Sequence, residues 1–202
     1  MAVTFTKQIN GITLEFIEDN HLYMVDGIVV PSITRILKTK FGGKYKFVDP
    51  ELLRRRADEG TRVHKAIEEW CTQGIESDYP ELRGFKFLQR QYGFEVLQSE
   101  VPVVLWDCDP IAAGRLDLVL EMDGKIGGAD IKRVSSLDRQ YLAYQLNIYR
   151  IAYMQSYGVE WEFLKGIHLR DDKRRLVDIP IDEDAAWGLI GDFERERRMN
   201  GE

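Results

Sequence analysis

Apolar and polar positions change period several times along the chain, and each change predicts an element. Thr13–Ile17 alternates. His21–Val25 runs into Asp26-Gly27 and then Ile28–Val30, and Asp-Gly between apolar runs predicts a β-hairpin. Pro31-Ser32 opens a helix over Ile33–Lys38 with Ser32 as its cap. A glycine- and lysine-bearing loop, Phe41–Lys46, separates it from a second helix with Asp49 as N-cap and Pro50 in the first position. The next helix carries Gly60 to Trp70, with Val63, Ile67 and Trp70 as its apolar stripe. A further helix covers Glu81–Tyr92, with Leu82, Phe85 and Leu88 inward. The period then drops to two, giving strands at Val96–Trp106, Ile111–Glu121 and Lys125–Arg133, the last two joined by Asp123-Gly124. A long helix, Ser136–Tyr157, follows. Strands at Glu162–Leu169 and Arg175–Ile179 are joined by a charged turn, and Asp182 caps a final helix to about Arg198. Helix, three antiparallel strands, helix and strand predict an α/β layered domain.

Composition fits one soluble domain. The 202 residues, 44% hydrophobic and 31% charged, suffice for a core without staples. We divide it into an N-terminal hairpin with helices (1–58), a core (59–170) and a C-terminal strand and helix (171–202). Cys71 and Cys108 form no CxxC pair and fall short of a four-cysteine cluster, so an iron–sulfur cluster is not expected. The first residues lack the pattern of a signal peptide, and no apolar run approaches a membrane span, so a cytoplasmic protein without a membrane partner is expected.

The net charge of −6 argues, as an average, against a nucleic-acid binder. The average hides a segregation. Residues 35–65 hold ten Lys/Arg against four Asp/Glu, whereas residues 176–202 hold three against eight. A basic face on the N-terminal side of a cleft and an acidic back are expected.

The second hairpin can be placed in register. If Asp123-Gly124 is a two-residue loop, Met122 faces Lys125 and Asp117 faces Asp130. Facing carboxylates on one side of a sheet repel. A hard divalent cation between them removes the repulsion. Lys132, two residues beyond Asp130, points to the same face. A solvated cluster of surface charges is the bland alternative. The apolar neighbours of both aspartates, Leu116, Leu118 and Ile131 among them, instead mark central strands, where a carboxylate needs a partner.

Gly114-Arg115-Leu116-Asp117 followed by Asp130-Ile131-Lys132 resembles the signature of the PD-(D/E)XK nuclease superfamily. Gly60-Thr61-Arg62-Val63-His64 resembles the upstream helix motif of its RecB-type branch. Glu100-Val101-Pro102 resembles the acidic strand motif, and Gln145-Leu146-Asn147-Ile148-Tyr149 the QxxxY motif. Tyr23–Gly27 and Val30–Thr34 resemble the start of phage-encoded exonucleases and of the mitochondrial genome maintenance exonuclease group. The resemblance spans roughly residues 20 to 155, and departs in one respect: Asp130 stands where Glu is commoner.

The resemblance implies a restriction-endonuclease-like core and a metal-dependent deoxyribonuclease, an exonuclease on linear DNA, single- or double-stranded, serving recombination, repair or phage DNA processing. A structure-specific or restriction-type endonuclease and a non-catalytic DNA-binding module are the alternatives. Implied ligands of Mg²⁺ or Mn²⁺ are His64, Asp117, Asp130 and the Ile131 carbonyl, with Lys132 positioning the attacking water and Gln145 holding the site. His64 competes with a structural reading, Glu100 with a strand-edge charge, and Glu68, one turn after His64, with a solvated carboxylate. Arg62, Arg115, Arg133 and Tyr149 are candidates for DNA contact, against solvated arginines and plain core packing. His21 and His168 match no motif and read as structural. A recombination or annealing protein, or a separate helicase, is an implied partner.

Overall fold

The computed structural model describes residues 4–43 and 49–201. Lys44 and Lys46, part of the expected lysine loop, lie outside the described residues.

The N-terminal part builds a four-stranded antiparallel sheet rather than a single hairpin. β1 (Phe5–Ile9), β2 (Ile12–Ile17), β3 (Leu22–Val25) and β4 (Ile28–Val30) pair in sequence order. Strand β1 was not anticipated, although Asn10-Gly11, with both residues at positive φ, is a type I′ signal of the same kind as Asp26-Gly27. The sheet buries Leu14, Phe16, Tyr23 and Val25 against Val104 and Ala113.

Helix α1 (Ile33–Phe41) starts where Ser32 Oγ accepts from the Arg35 N–H, as expected of a cap. Helix α2 (Pro50–Gln73) is one continuous 24-residue helix, not two. Gly60 sits inside it, since a lone glycine costs only about 1 kcal/mol in a helix. The boundary placed at 58/59 therefore falls within one element. Helix α3 is Pro80–Tyr92.

A five-stranded mixed sheet follows in the order β5-β6-β7-β8-β9: Glu95–Leu105, Ala112–Met122, Lys125–Lys132, Phe163–Arg170 and Lys173–Ile179. Strands β5 to β7 form an antiparallel meander. Helix α4 (Arg139–Tyr157) crosses over and brings β8 parallel to β7, and β9 returns antiparallel. Helix α5 (Glu183–Asn200) starts at the Asp182 cap.

Two apolar clusters sandwich this sheet. Helices α1, α4 and α5 cover one face with Leu142, Leu146, Ile148 and Leu189. Helices α2 and α3 cover the other with Val63, Ile67, Leu82 and Phe85. Close packing explains two glycines in β7. A Cβ on Gly128 would stand 2.0 Å from the Trp161 ring, and one on Gly127 would stand 2.4 Å from the Phe163 carbonyl. Among the described residues, no helix is long and apolar enough to cross a membrane. Both cysteines are free; burial pushes the Cys71 thiol up to about 11 and the Cys108 thiol to about 12.

Candidate metal and catalytic site

The Asp123-Gly124 turn sets the register read from the sequence. Met122 faces Lys125, and the pairing continues to Leu118 and Ala129. There the regular ladder stops, one pair short of Asp117 and Asp130. The Ile131 N–H is satisfied instead by the Asp117 carboxylate, donating to Oδ2 at 2.6 Å. That bond fixes one Asp117 oxygen and leaves Oδ1 pointing elsewhere.

Strand β5 adds a third carboxylate. Ser99 pairs with Leu118 and Val101 with Leu116, so Glu100 lies across from Asp117. A bulge at Val96/Gln98 precedes it, and Glu100 itself has φ of +50°. Left-handed backbone at a glutamate is strained, and such strain gathers at functional sites. Arg115 holds the glutamate by an Nε–Oε2 contact of 2.6 Å, its guanidinium lying over the Phe16 ring.

Helix α2 brings His64 over these acids. Its Nε2 lies 3.0 Å from the Ile131 carbonyl, which only accepts, so Nε2 carries the hydrogen. Nδ1 then faces Asp117 Oδ1 at 3.5 Å and Glu100 Oε1 at 3.8 Å. Burial disfavours the imidazolium, but Asp117, Glu100 and Asp130 together outweigh it and raise His64 to about 9. A proton on Nδ1 occupies the position where a cation would meet the same two carboxylates.

Asp130 is buried (3% exposed), and Lys132 Nζ stands 2.6 Å from its Oδ2. The contact holds the ammonium against the carboxylate within the cavity wall. Burial pushes the Asp130 carboxyl upward, Lys132 opposes this, and Asp117 adds to it. Burial disfavours the Lys132 ammonium, but Asp130 and Asp117 hold it charged, so its pKa is raised. Gln145, on α4, is buried with Oε1 unpartnered.

These groups line one cavity of ≈ 610 Å³ between the two sheets and α2. His64, Asp117, Asp130, Ile131, Lys132, Gln145, Glu100, Glu68, Arg115, Arg133 and Tyr149 all contribute to its wall. Their arrangement differs from the sequence reading at several residues. The group that lies close enough to share a cation is His64, Glu100 and Asp117, whose ligand atoms lie within 4.8 Å of one another. Asp130 is paired with Lys132 instead, and the Ile131 carbonyl is taken by His64. Arg133 is not a free phosphate ligand. Its guanidinium is held by buried Glu81 at 2.8 Å, by Glu59 at 2.6 Å and by Asp171 at 3.7 Å. Arg62 is exposed on α2 and does not line the cavity.

Glu68 is raised, by burial first and Glu100 second. Tyr149 is buried against Gly114, where a Cβ would stand 2.9 Å from its ring, so packing accounts for its place. Sequence reasoning missed the wall supplied by the N-terminal part, His21 and Tyr23 beside and on β3 and Ser32 and Thr34 at the start of α1. His21, read as purely structural, packs edge-on to Phe16 and Tyr23 yet reaches the cavity. Burial, then Arg115 and Lys38, lower its pKa. Its φ of +49° leaves no periodic signal in the sequence.

The residues fit a hard or borderline divalent cation. One imidazole nitrogen and two carboxylates converge, and the buried Gln145 Oε1 beside them lacks a partner.

No protein-family model matches the chain, and no curated protein matches it. Among matching solved structures, the one titled "Crystal structure of SSO0001" is 16% identical, with a TM-score of 0.46, over 81% of this chain and 73% of that one. A likeness of that size bears on neither family nor chemistry.

Proposed function

We propose that the protein is a metal-dependent nuclease that hydrolyses phosphodiester bonds of DNA on a restriction-endonuclease-like core, a member of the RecB-type branch of the PD-(D/E)XK superfamily. One observation carries this reading. Three carboxylates and a histidine from four separate elements converge at the break in the β6–β7 ladder, beside a half-buried lysine. Folding gains nothing from carboxylates so placed, and a cation offsets their repulsion. The sequence motifs add the order of the elements.

Asp117 and Glu100, with His64 through Nδ1, would hold Mg²⁺ or Mn²⁺, and Asp130 faces the same space. Such a cation polarises a phosphate and lowers the pKa of water bound to it. Asp117 keeps its position through the Ile131 N–H, so its free oxygen is aimed before any ligand arrives. His64 is oriented by the Ile131 carbonyl in the tautomer that leaves Nδ1 for the cation. Lys132, charged and held by Asp130, places a positive charge beside the attacked phosphate and orients the entering water. Gln145 offers its free oxygen as acceptor for that water. Arg115 steadies Glu100 in its strained conformation.

The test uses end-labelled linear and closed circular DNA with Mg²⁺, Mn²⁺ or EDTA. Wild type should degrade linear DNA with either metal and not with EDTA, and Asp130→Ala and Lys132→Ala should fall at least a hundredfold. Inactivity of wild type with every metal sinks the nuclease reading. Cleavage of closed circles rejects the exonuclease mode and favours an endonuclease.

A further inference from the structure

A second cavity, ≈ 270 Å³, lies at the far end of the same sheet, between the loop after β7 and the β8–β9 hairpin. Arg139, Lys173, Arg175 and His168 line it, with the hydroxyls of Ser135 and Ser136, and no carboxylate does.

Alternation explains how these side chains meet. Residues of β9 at 173, 175 and 177 share one face, and all three line the cavity. Arg174, between them, goes to the opposite face, where its guanidinium lies 4.1 Å from the centre of the Phe87 ring. His168 pairs directly with Arg175 and also with Lys132. Lys132, His168 and Arg175 therefore form one row across β7, β8 and β9. The row starts in the first cavity and ends in the second. Two strand spacings of ~4.8 Å separate its ends by roughly 10 Å.

The loop joining the cavities is short: Val134 lines the first and Ser135 the second. His168, itself only 6% exposed, is turned toward this loop by a 2.6 Å contact from Nε2 to the Val134 carbonyl. Arg139 donates to the Asp178 carbonyl through Nη2, which leaves its other donors for a ligand. Helix α4 begins here, capped by Asp138, whose carboxylate accepts from the Tyr141 N–H.

Resting on the nuclease reading, we propose that this row and the cavity at its end form a phosphate track that holds the backbone of the nucleic-acid strand flanking the scissile position. A single strand leaving Lys132 passes over Ser135 and Ser136 and lays a neighbouring phosphate between Lys173 and Arg175. The track reads no base, because its donors are ammonium, guanidinium and hydroxyl groups suited to phosphate oxygens.

The experiment measures binding of a fluorescein-labelled oligothymidylate by anisotropy in EDTA across a salt series, with hydrolysis of linear DNA in Mn²⁺ followed separately. The Lys173→Ala/Arg175→Ala double variant should flatten the slope of log K against log salt by about 0.7, the value for the one single-strand phosphate the pair holds. Arg174→Ala, on the same exposed hairpin but the other face, should leave the slope unchanged, and Arg175→Lys should restore most of it. Equal loss in Arg174→Ala would mean only a general charge effect and would overturn the track. So would an unchanged slope in the double variant, including the case where inorganic phosphate alone binds the cavity. If wild type hydrolyses DNA while the double variant keeps the wild-type slope, the track falls and the nuclease reading stands. If wild type neither hydrolyses nor binds DNA, both fall.

Discussion

Glu100 combines a strained backbone with a role as a candidate ligand. At φ of +50° its side chain costs on the order of 1 kcal/mol against glycine. Glu100→Ala and Glu100→Gly both remove the carboxylate, but only the second relieves the strain. Urea unfolding in EDTA should therefore find Glu100→Gly more stable than Glu100→Ala by about 1 kcal/mol. Both should bind Mn²⁺ at least tenfold more weakly by calorimetry. His64 gives the second prediction at this scale. Its folded pKa, about 9, lies above the unfolded value of 6.5, so the protonated form favours the fold. That stabilisation is complete below pH 6.5 and is lost as pH rises through 9. Melting temperature in EDTA should fall over this window, and His64→Ala should abolish the fall. Cations compete with the same proton, so Mn²⁺ affinity should rise with pH up to about 9. Calorimetry at pH 7 in buffers of different ionisation enthalpy should register about one proton released per ion bound.

Among the elements, the β6–β7 hairpin was the most legible, because a two-residue Asp-Gly loop leaves one register and the register fixes who faces whom. The same rule applied to Asn10-Gly11 would have disclosed β1, whose half-exposed Phe5–Ile9 carries too few buried residues to show by hydrophobicity. Helix α2 read as two helices because its charged stretch masks the apolar stripe, although nothing in Pro50–Gln73 breaks a helix. Partnership was not legible at all. Sequence spacing places Arg133 beside Lys132, but its capture by Glu59, Glu81 and Asp171 depends on how α2, α3 and the β8–β9 turn come together. Glu100 joined the closest group for a similar reason, through a bulge that spacing does not reveal. The tight contact of β7 with the segment entering β8 gives a prediction of its own. Gly128→Ala drives a methyl into the Trp161 ring and should destabilise by about 3 kcal/mol in urea, as overpacking of a rigid aromatic does.

On the scale of the whole molecule, the first cavity belongs to neither sheet alone. The N-terminal sheet joins the larger one where the Ala113 N–H donates to the Pro31 carbonyl at 3.0 Å, and its His21 and Tyr23 wall the space opposite α2. Elements from residue 18 to residue 149 thus converge on one site. A cation bound there favours the folded state of all of them. At a concentration a hundred times Kd it should add about 2.7 kcal/mol to stability. A melt with Mn²⁺ should therefore lie above one with EDTA, and Asp117→Asn should erase the difference. The charge segregation seen in the sequence is partly visible in this arrangement, since Arg56 and Lys65 line the cavity. Lys173 and Arg175 escaped notice because their stretch is short and flanked by Asp171, Asp172 and Asp178.

The β6–β7 ladder breaks off where Asp117 takes over from a backbone carbonyl, so one side chain closes the sheet with one oxygen and offers charge with the other. An asparagine keeps the first task and forfeits the second: its amide oxygen still accepts from the Ile131 N–H, and its uncharged amide offers a cation no anion. The centre can therefore be silenced without loosening the scaffold around it. Asp117→Asn is the natural choice for trapping an intact nucleic-acid complex, whereas Asp117→Ala disarms and unzips at once.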